Sequence, residues 1–292
     1  MLAAIKEIYS GGDGYPPLLA EIPNAPKHLF ILGELGASAP CVAVVGTRKA
    51  TREGKHIAEN ISAGLAARGF CIVSWLALGI DAAAHEGALS SKGKTVAVMA
   101  NGLDSIYPRC HEHLAKRILD SGGAIISEYP AGTPAFPNQF LARNRIVSGL
   151  SIATIVIEAP ARSGSIATAG CAAEQGRDVL VFPGGISHPN YKGSHELIRK
   201  GARLASSLED ILEDLGVADV IPKHAAAKQF PEYENDAVST AIIEALKISA
   251  GPADIDKLFE STKVEQRTLA ERLSLLIIDG VIKESGGKFS II

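Results

Sequence analysis

Three short clusters carry the side chains that could do chemistry in this chain. The first is Gly46-Thr47-Arg48-Lys49, followed by Thr51 and Arg52. A glycine turn leading into a helix leaves backbone N–H groups free. Guanidinium and ammonium groups beside that helix N-terminus suit phosphate oxygens. The second cluster is Phe140-Leu141-Ala142-Arg143-Asn144-Arg145. Its arginines suit phosphates, and a base stacked on the Phe140 ring contributes about 1–3 kcal/mol. The third is Ser163-Gly164-Ser165 at a helix entry, with Lys192-Gly193-Ser194 as a further turn of the same kind. Each has a plainer reading: a core ring, arginines that are solvated or paired with Glu128 or Glu158, helix caps. Their shared place at strand ends shifts the balance toward a rim that binds a phosphate backbone.

Enzyme chemistry has weaker signals. His85 lies four residues after Asp81 and could be grouped with Ser74 or Asp104 as a triad, but no GxSxG elbow accompanies them. A buried or capping histidine is the simpler reading. Asp104 and Glu128 could pair as carboxylates. Pro183-Gly184-Gly185, with Gly193-Ser194-His195-Glu196 downstream, loosely matches a nucleotide-binding loop that carries a catalytic glutamate. A Rossmann-type nucleotide hydrolase, cleaving the N-glycosidic bond of a nucleoside monophosphate, is therefore the alternative.

The elements that must hold these clusters alternate. Cys41–Gly46, Phe70–Val73, Thr95–Met99, Ala124–Ser127, Ala153–Glu158 and Val179–Phe182 are short apolar, β-branched runs that read as strands buried on both faces. Helical spacing covers 51–68, 81–89 with Asp81 as N-cap, 114–120 and 165–175. This alternation predicts an α/β domain, an extended Rossmann-like doubly wound parallel sheet over 41–215. In such sheets ligands sit beyond the carboxyl ends of the strands. GxGxxG is missing after the first strand, no acidic residue ends the second, and Walker A is absent. No nucleotide cofactor is expected.

Residues 1–40 read as a lead-in segment and 216–237 as a linker. Residues 238–292 follow with three helices and a Gly-Gly hairpin at 280–291, the pattern of a small C-terminal winged-helix domain. The whole chain has 292 residues and a net charge of −3, which taken alone argues against a nucleic-acid partner. By segment the four parts carry −2, +2, −2 and −1, so the sheet domain is the positive one. Glycine, 29 residues, is concentrated at the strand ends. The N-terminus lacks a basic stretch followed by an apolar one, no run reaches a membrane-spanning length, and the four cysteines form no CxxC. A cytoplasmic protein without a metal site is expected.

An ordered series of motifs over about 170 residues resembles the DprA family of DNA-processing proteins, also called Smf. It runs from Val45-Gly46-Thr47-Arg48 through Gly79-Ile80-Asp81, Ser127-Glu128-Tyr129-Pro130 and Arg143-Asn144-Arg145-Ile146 to Ser163-Gly164-Ser165 and Gly201-Ala202. The resemblance implies a non-enzymatic protein that binds and protects incoming single-stranded DNA and loads RecA in natural transformation. It implies a homodimer formed through the Rossmann domain. It implies that Gly46, Thr47 and Arg48 hold phosphates, that Arg143 and Arg145 line a basic pocket, and that Phe140 stacks a base. The family's N-terminal helical domain would be missing or a stub. Trp75 stands where the family usually has glycine, Leu78 where arginine is common, and Ala100 at another usual glycine. Trp75 would fill the pocket edge or add a stacking surface.

Overall fold

The computed structural model describes residues 5–35, 39–217, 237–248, 253–278, 281–285 and 287–291. The chain divides into two compact units, Met1–Ile221 and Pro222–Ile292. Among the described residues the first holds nine strands: β1 Lys6–Tyr9, β2 His28–Gly33, β3 Cys41–Gly46, β4 Cys71–Ser74, β5 Thr95–Val98, β6 Ala124–Ser127, β7 Ala153–Ile157, β8 Asp178–Val181 and β9 Arg203–Leu204. Its helices are α1 Pro17–Ala20, α2 Arg52–Ala66, α3 Ile80–Ser90, α4 Glu112–Asp120, α5 Pro137–Gly149, α6 Gly164–Glu174, α7 Lys192–Arg199 and α8 Leu208–Asp214.

The strands form one sheet in the order β1-β2-β6-β5-β4-β3-β7-β8-β9. From β6 to β9 it is parallel, as expected for a doubly wound fold. The lead-in adds two edge strands to that parallel sheet: β2 runs antiparallel to β6, and β1 antiparallel to β2. The strand order reverses between β3 and β7, and a crevice opens at such a switch point.

Alternation within a strand builds both cores. Val42 and Val44 of β3 pack with Ala58, Leu65, Ile80 and Ile211 of the α2, α3 and α8 side. Ala43 and Val45 pack with Ile146, Val147 and Ala169 of the α5 and α6 side. Both faces of the strand are thus buried, which is why it reads as a continuous apolar run. Each fully buried valine contributes about 1.5–3 kcal/mol.

Two local corrections bear on the site. Asp81 is not the N-cap of α3. Gly79 is, at φ +86°, and Asp81 lies in the first turn, buried. Lys192-Gly193-Ser194 is not a turn but the start of α7.

The second unit holds α9 Ala237–Ile248, α10 Ile255–Thr262 and α11 Gln266–Ile278, with β10 Ala253–Asp254, β11 Ile282–Ser285 and β12 Lys288–Ile291. The Asp254 carboxylate caps α10 by accepting from Lys257 N at 2.9 Å. β11 and β12 pair as the expected hairpin, and β10 adds to β12. Ile242, Leu258, Leu269, Leu273 and Phe289 close its own core. Most of the expected linker, residues 218–236, lies outside the described residues, as does Gly286 of the expected Gly-Gly turn. Among the described residues, no helix is long and apolar enough to cross a membrane. None of their His, Cys, Asp and Glu side chains form a cluster suited to a metal ion.

Candidate functional site

The loop after β3 lies at the switch point, and close packing holds it there. A Cβ on Gly46 would fall on the Ile157 carbonyl oxygen, so no other residue fits. Thr47 N donates to Glu158 O at 2.8 Å, and Ile80 N donates to Thr47 O at 3.2 Å. These bonds tie the loop to the ends of β7 and α3 and leave the Arg48 side chain exposed at the rim.

Arg48 extends over the Phe140 ring, with its guanidinium carbon 5.5 Å from the centroid. Phe140 comes from the first turns of α5. It also meets Arg143, at 5.8 Å, and the Tyr107 ring, tilted at 5.7 Å. Arg143 in turn lies 4.8 Å over Trp75. Two cavities share Arg48, Trp75, Phe140 and Arg143. One, of about 90 Å³, continues past Leu78, Met99, Asn101 and Tyr107. The other, of about 270 Å³, continues past Gly46, Thr47, Asn144, Ser163 and Gly164 to the N-terminus of α6. Exposed apolar side chains, Leu78, Tyr107 and Leu141, edge the cleft.

The two arginines differ in kind. Arg143 is buried and donates from Nη1 to Val98 O at 2.6 Å. Burial draws its guanidinium down to about 9, while Asp81 acts in the opposite direction. Asp81 is buried beside it, and burial pushes its carboxyl well above the usual range against the pull of Arg143. Arg143 therefore supports the floor of the cleft, and Arg48 is the cation with freedom to meet a ligand.

Eight of the residues singled out in the sequence line the second cavity: Gly46, Thr47, Arg48, Phe140, Arg143, Asn144, Ser163 and Gly164. Ser165 is buried behind them with its Oγ 2.7 Å from that of Ser163, which caps α6 through Ile166 N. The others lie elsewhere. Lys49 and Arg52 are exposed at the N-terminus of α2, but that helix end already has an anion. The Glu158 carboxylate accepts from Thr51 N at 3.0 Å and from Thr51 Oγ1, and Thr51 caps Gly54 N. Arg145 turns away from the cleft. It pairs with Glu128 through both terminal nitrogens, at 3.0 and 2.6 Å, and its Nε donates to Asn24 O at 3.0 Å. Gly193 N donates to Ala159 O at 2.8 Å, and Ser194 Oγ accepts from Ala159 N at 3.1 Å. That pair fixes the loop after β7, with Lys192 exposed beside it.

The enzyme-like groupings come apart. Ser74 Oγ donates to Val44 O at 2.6 Å. Asp104 Oδ1 accepts from Gly132 N at 2.7 Å, while Glu128 faces Arg145. Tyr191 packs its ring against Gly184, where a nucleotide loop would need room. His85 is fully buried and lies 2.8 Å from Trp75 O and 2.7 Å from Thr95 Oγ1. Burial lowers it to about 4, so it is neutral at pH 7. The Trp75 carbonyl only accepts, which places the ring proton on Nε2, while the Thr95 hydroxyl beside Nδ1 donates to Ile72 O at 2.7 Å. His85 thus fixes the backbone that presents Trp75.

Tyr107, Met99 and Asn101 are not among the sequence candidates for binding, whereas Trp75 is the residue expected to fill the pocket edge or add a stacking surface. The positions of those three after the end of β5 are the signal that marks them.

An open, mostly parallel α/β sheet with an arginine- and aromatic-lined cleft at its switch point defines a Rossmann-type fold. The model of the family described as DNA recombination-mediator protein A matches residues 6–216, and the chain belongs to that family. Protein Smf of Escherichia coli (strain K12) is 46% identical over 209 residues, which make up 71% of this chain and 56% of that protein. The chain thus spans little more than half the length of that relative. The X-ray structure of DNA processing protein A from Streptococcus pneumoniae matches with TM-score 0.69 at 41% identity, over 73% of this chain and 75% of that one. DNA processing protein A from Helicobacter pylori, whose structure is described in terms of its single-stranded DNA binding mode, matches with TM-score 0.66 at 29% identity. That match covers 73% of this chain and 96% of the other.

Proposed function

We propose that this chain binds single-stranded DNA in the cleft between Arg48, Phe140 and the N-terminus of α6. One observation carries the reading: an exposed guanidinium lies over an aromatic ring in an open cleft that ends at a helix N-terminus. That arrangement pairs a phosphate contact with a stacking surface. Arg48, Thr47 and the α6 N-terminus take phosphates, and Phe140 with Tyr107 takes a base. The Helicobacter pylori relative, described by its single-stranded DNA binding mode, supports the same assignment.

Family membership extends the proposal to protection of incoming DNA and RecA loading in natural transformation, by a homodimer that joins through the sheet domain. No nucleotide cofactor takes part, and the protein is not an enzyme. The C-terminal unit is assigned as a winged helix that makes protein contacts or weak DNA contacts, given its net charge of −1 over 238–292.

The test is fluorescence anisotropy of labelled oligo-dT against a duplex of equal length, without nucleotide or metal. Binding of the single strand that weakens with salt is expected, log K falling by about 0.7 per phosphate contact for each tenfold rise in salt. Absent or salt-insensitive binding refutes it. Release of free base from nucleoside monophosphates would favour the hydrolase.

A further inference from the structure

Cys41 and Cys71 are the first residues of β3 and β4, and they stand opposite one another in the parallel register of those strands. Neighbouring strands run about 4.8 Å apart, and a disulfide spans Cα atoms about 4.4–6.8 Å apart. Register partners also present their side chains on one face of the sheet. Both cysteines join the core on the α5 and α6 side, Cys71 within it and Cys41 packed against it. The sulfurs are ordered. The Cys41 thiol donates to Ala39 O at 3.7 Å, which leaves its lone pairs to accept from the Cys71 thiol. That bond holds the Cys41 thiol below its ordinary range, and the same bond, with burial, pushes the Cys71 thiol well above it. Access differs in the same sense: Cys71 is buried and Cys41 is half-buried, so a reagent reaches Cys41 first. An accessible thiol with the greater thiolate character, backed by a buried thiol at bridging distance, is the arrangement of an attacking and a resolving cysteine. Cys110, exposed just before α4, and Cys171, half-buried in α6, lie on other elements.

We propose that Cys41 and Cys71 are a redox-active dithiol, which exchanges with a low-molecular-weight disulfide such as oxidised glutathione and closes to a disulfide joining β3 to β4. The Cys41 thiolate attacks one sulfur of the small disulfide, whose S–S bond breaks and releases one thiolate. Cys71 then gives its proton to water and attacks Cys41 Sγ, releasing the second small thiolate. The chain loses two electrons, and the small disulfide is reduced to two thiols. The bridge closes a loop of about 30 residues that contains α2. It staples the starts of the two strands whose far ends carry the Arg48 loop and Trp75.

The test incubates the full chain with oxidised glutathione and reads its peptides by non-reducing mass spectrometry, with the exposed Cys110 as internal control. A peptide pair linked through Cys41 and Cys71, lighter by the two thiol hydrogens, is expected, while Cys110 carries glutathione. The linked chain should melt roughly 5–10 °C higher, a gain that dithiothreitol reverses and that Cys41→Ser, treated alike, does not show. Cys71→Ser removes the resolving thiol, so Cys41 should accumulate the mixed disulfide. Cys41→Ser should leave the buried Cys71 unmodified. A folded wild type in which Cys110 is fully modified and no link between Cys41 and Cys71 forms overturns the proposal, whether or not either variant folds. A folded Cys71→Ser chain that keeps Cys41 free under the same conditions overturns Cys41 as the attacking thiol. A linked chain that melts no higher than the reduced one overturns the staple.

Discussion

Acidification should weaken the first unit through His85 by an amount that can be worked out. The folded ring titrates near 4 because it is fully buried between Trp75 O and Thr95. An unfolded histidine titrates at about 6.5. The folded value is depressed, so above pH 6.5 neither state gains a proton here and stability is at its full value. As pH falls from 6.5 toward 4, the unfolded chain takes up a proton that the folded chain refuses, and stability falls by about 1.4 kcal/mol per pH unit. At pH 4.5 the loss amounts to about 2.5 kcal/mol. The assay is urea unfolding at pH 7.5 and 4.5, followed by signals from the sheet domain. His85→Gln keeps a donor for Trp75 O but cannot titrate, so the variant should lose about 2.5 kcal/mol less than the wild type between the two pH values. Carboxylates titrate in both proteins and cancel in the comparison. Equal losses in the two would refute the assignment of a buried neutral imidazole.

Three further outcomes follow from the geometry. Phe140→Ala should lower oligo-dT affinity by about 1–3 kcal/mol with an unchanged salt slope in anisotropy titrations, because a stacking surface is lost and no charge is. Gly46→Ala should destabilise the first unit by more than about 3 kcal/mol, since its Cβ meets the Ile157 carbonyl, while Gly170→Ala in α6, with nothing near its Cβ, should stabilise it by about 0.5–1 kcal/mol in urea unfolding. Glu128→Gln should cost about 1–2 kcal/mol of stability, because the Arg145 pair is only about one-fifth exposed, yet leave oligo-dT affinity within twofold, since Arg145 faces away from the cleft.

The sheet was legible for a physical reason. Strands buried on both faces must be apolar throughout, and 41–46, 124–127 and 153–157 announce themselves that way. The edges were not. β1, KEIY, is largely exposed, so its sequence carries no burial signal, and the antiparallel edge went unread. α5 was seen as a cluster of side chains and not as a helix. Its buried positions include Gln139, Arg143, Asn144 and Ser148, which obscure the apolar period. The rim's residue types were readable, but their partners are set by the fold. Nothing local to Arg145 reveals that Glu128 lies opposite it, and nothing near Arg52 reveals that Glu158 already fills that helix end. Trp75 stood out as a departure, and only the fold shows its indole under Arg143 at the cavity floor.

The central claim is that an exposed arginine at the switch point binds the phosphates of a single strand. Salt-titrated oligo-dT binding of the wild type and Arg48→Ala tests it most directly. Arg48 is exposed and makes a ring contact with Phe140, so the melting temperature should hold within a few degrees on its removal. The variant is expected to bind about tenfold or more weakly at low salt, with a slope of log K against log salt shallower by about 0.7. Equal affinity and equal slope in the two proteins would contradict the account.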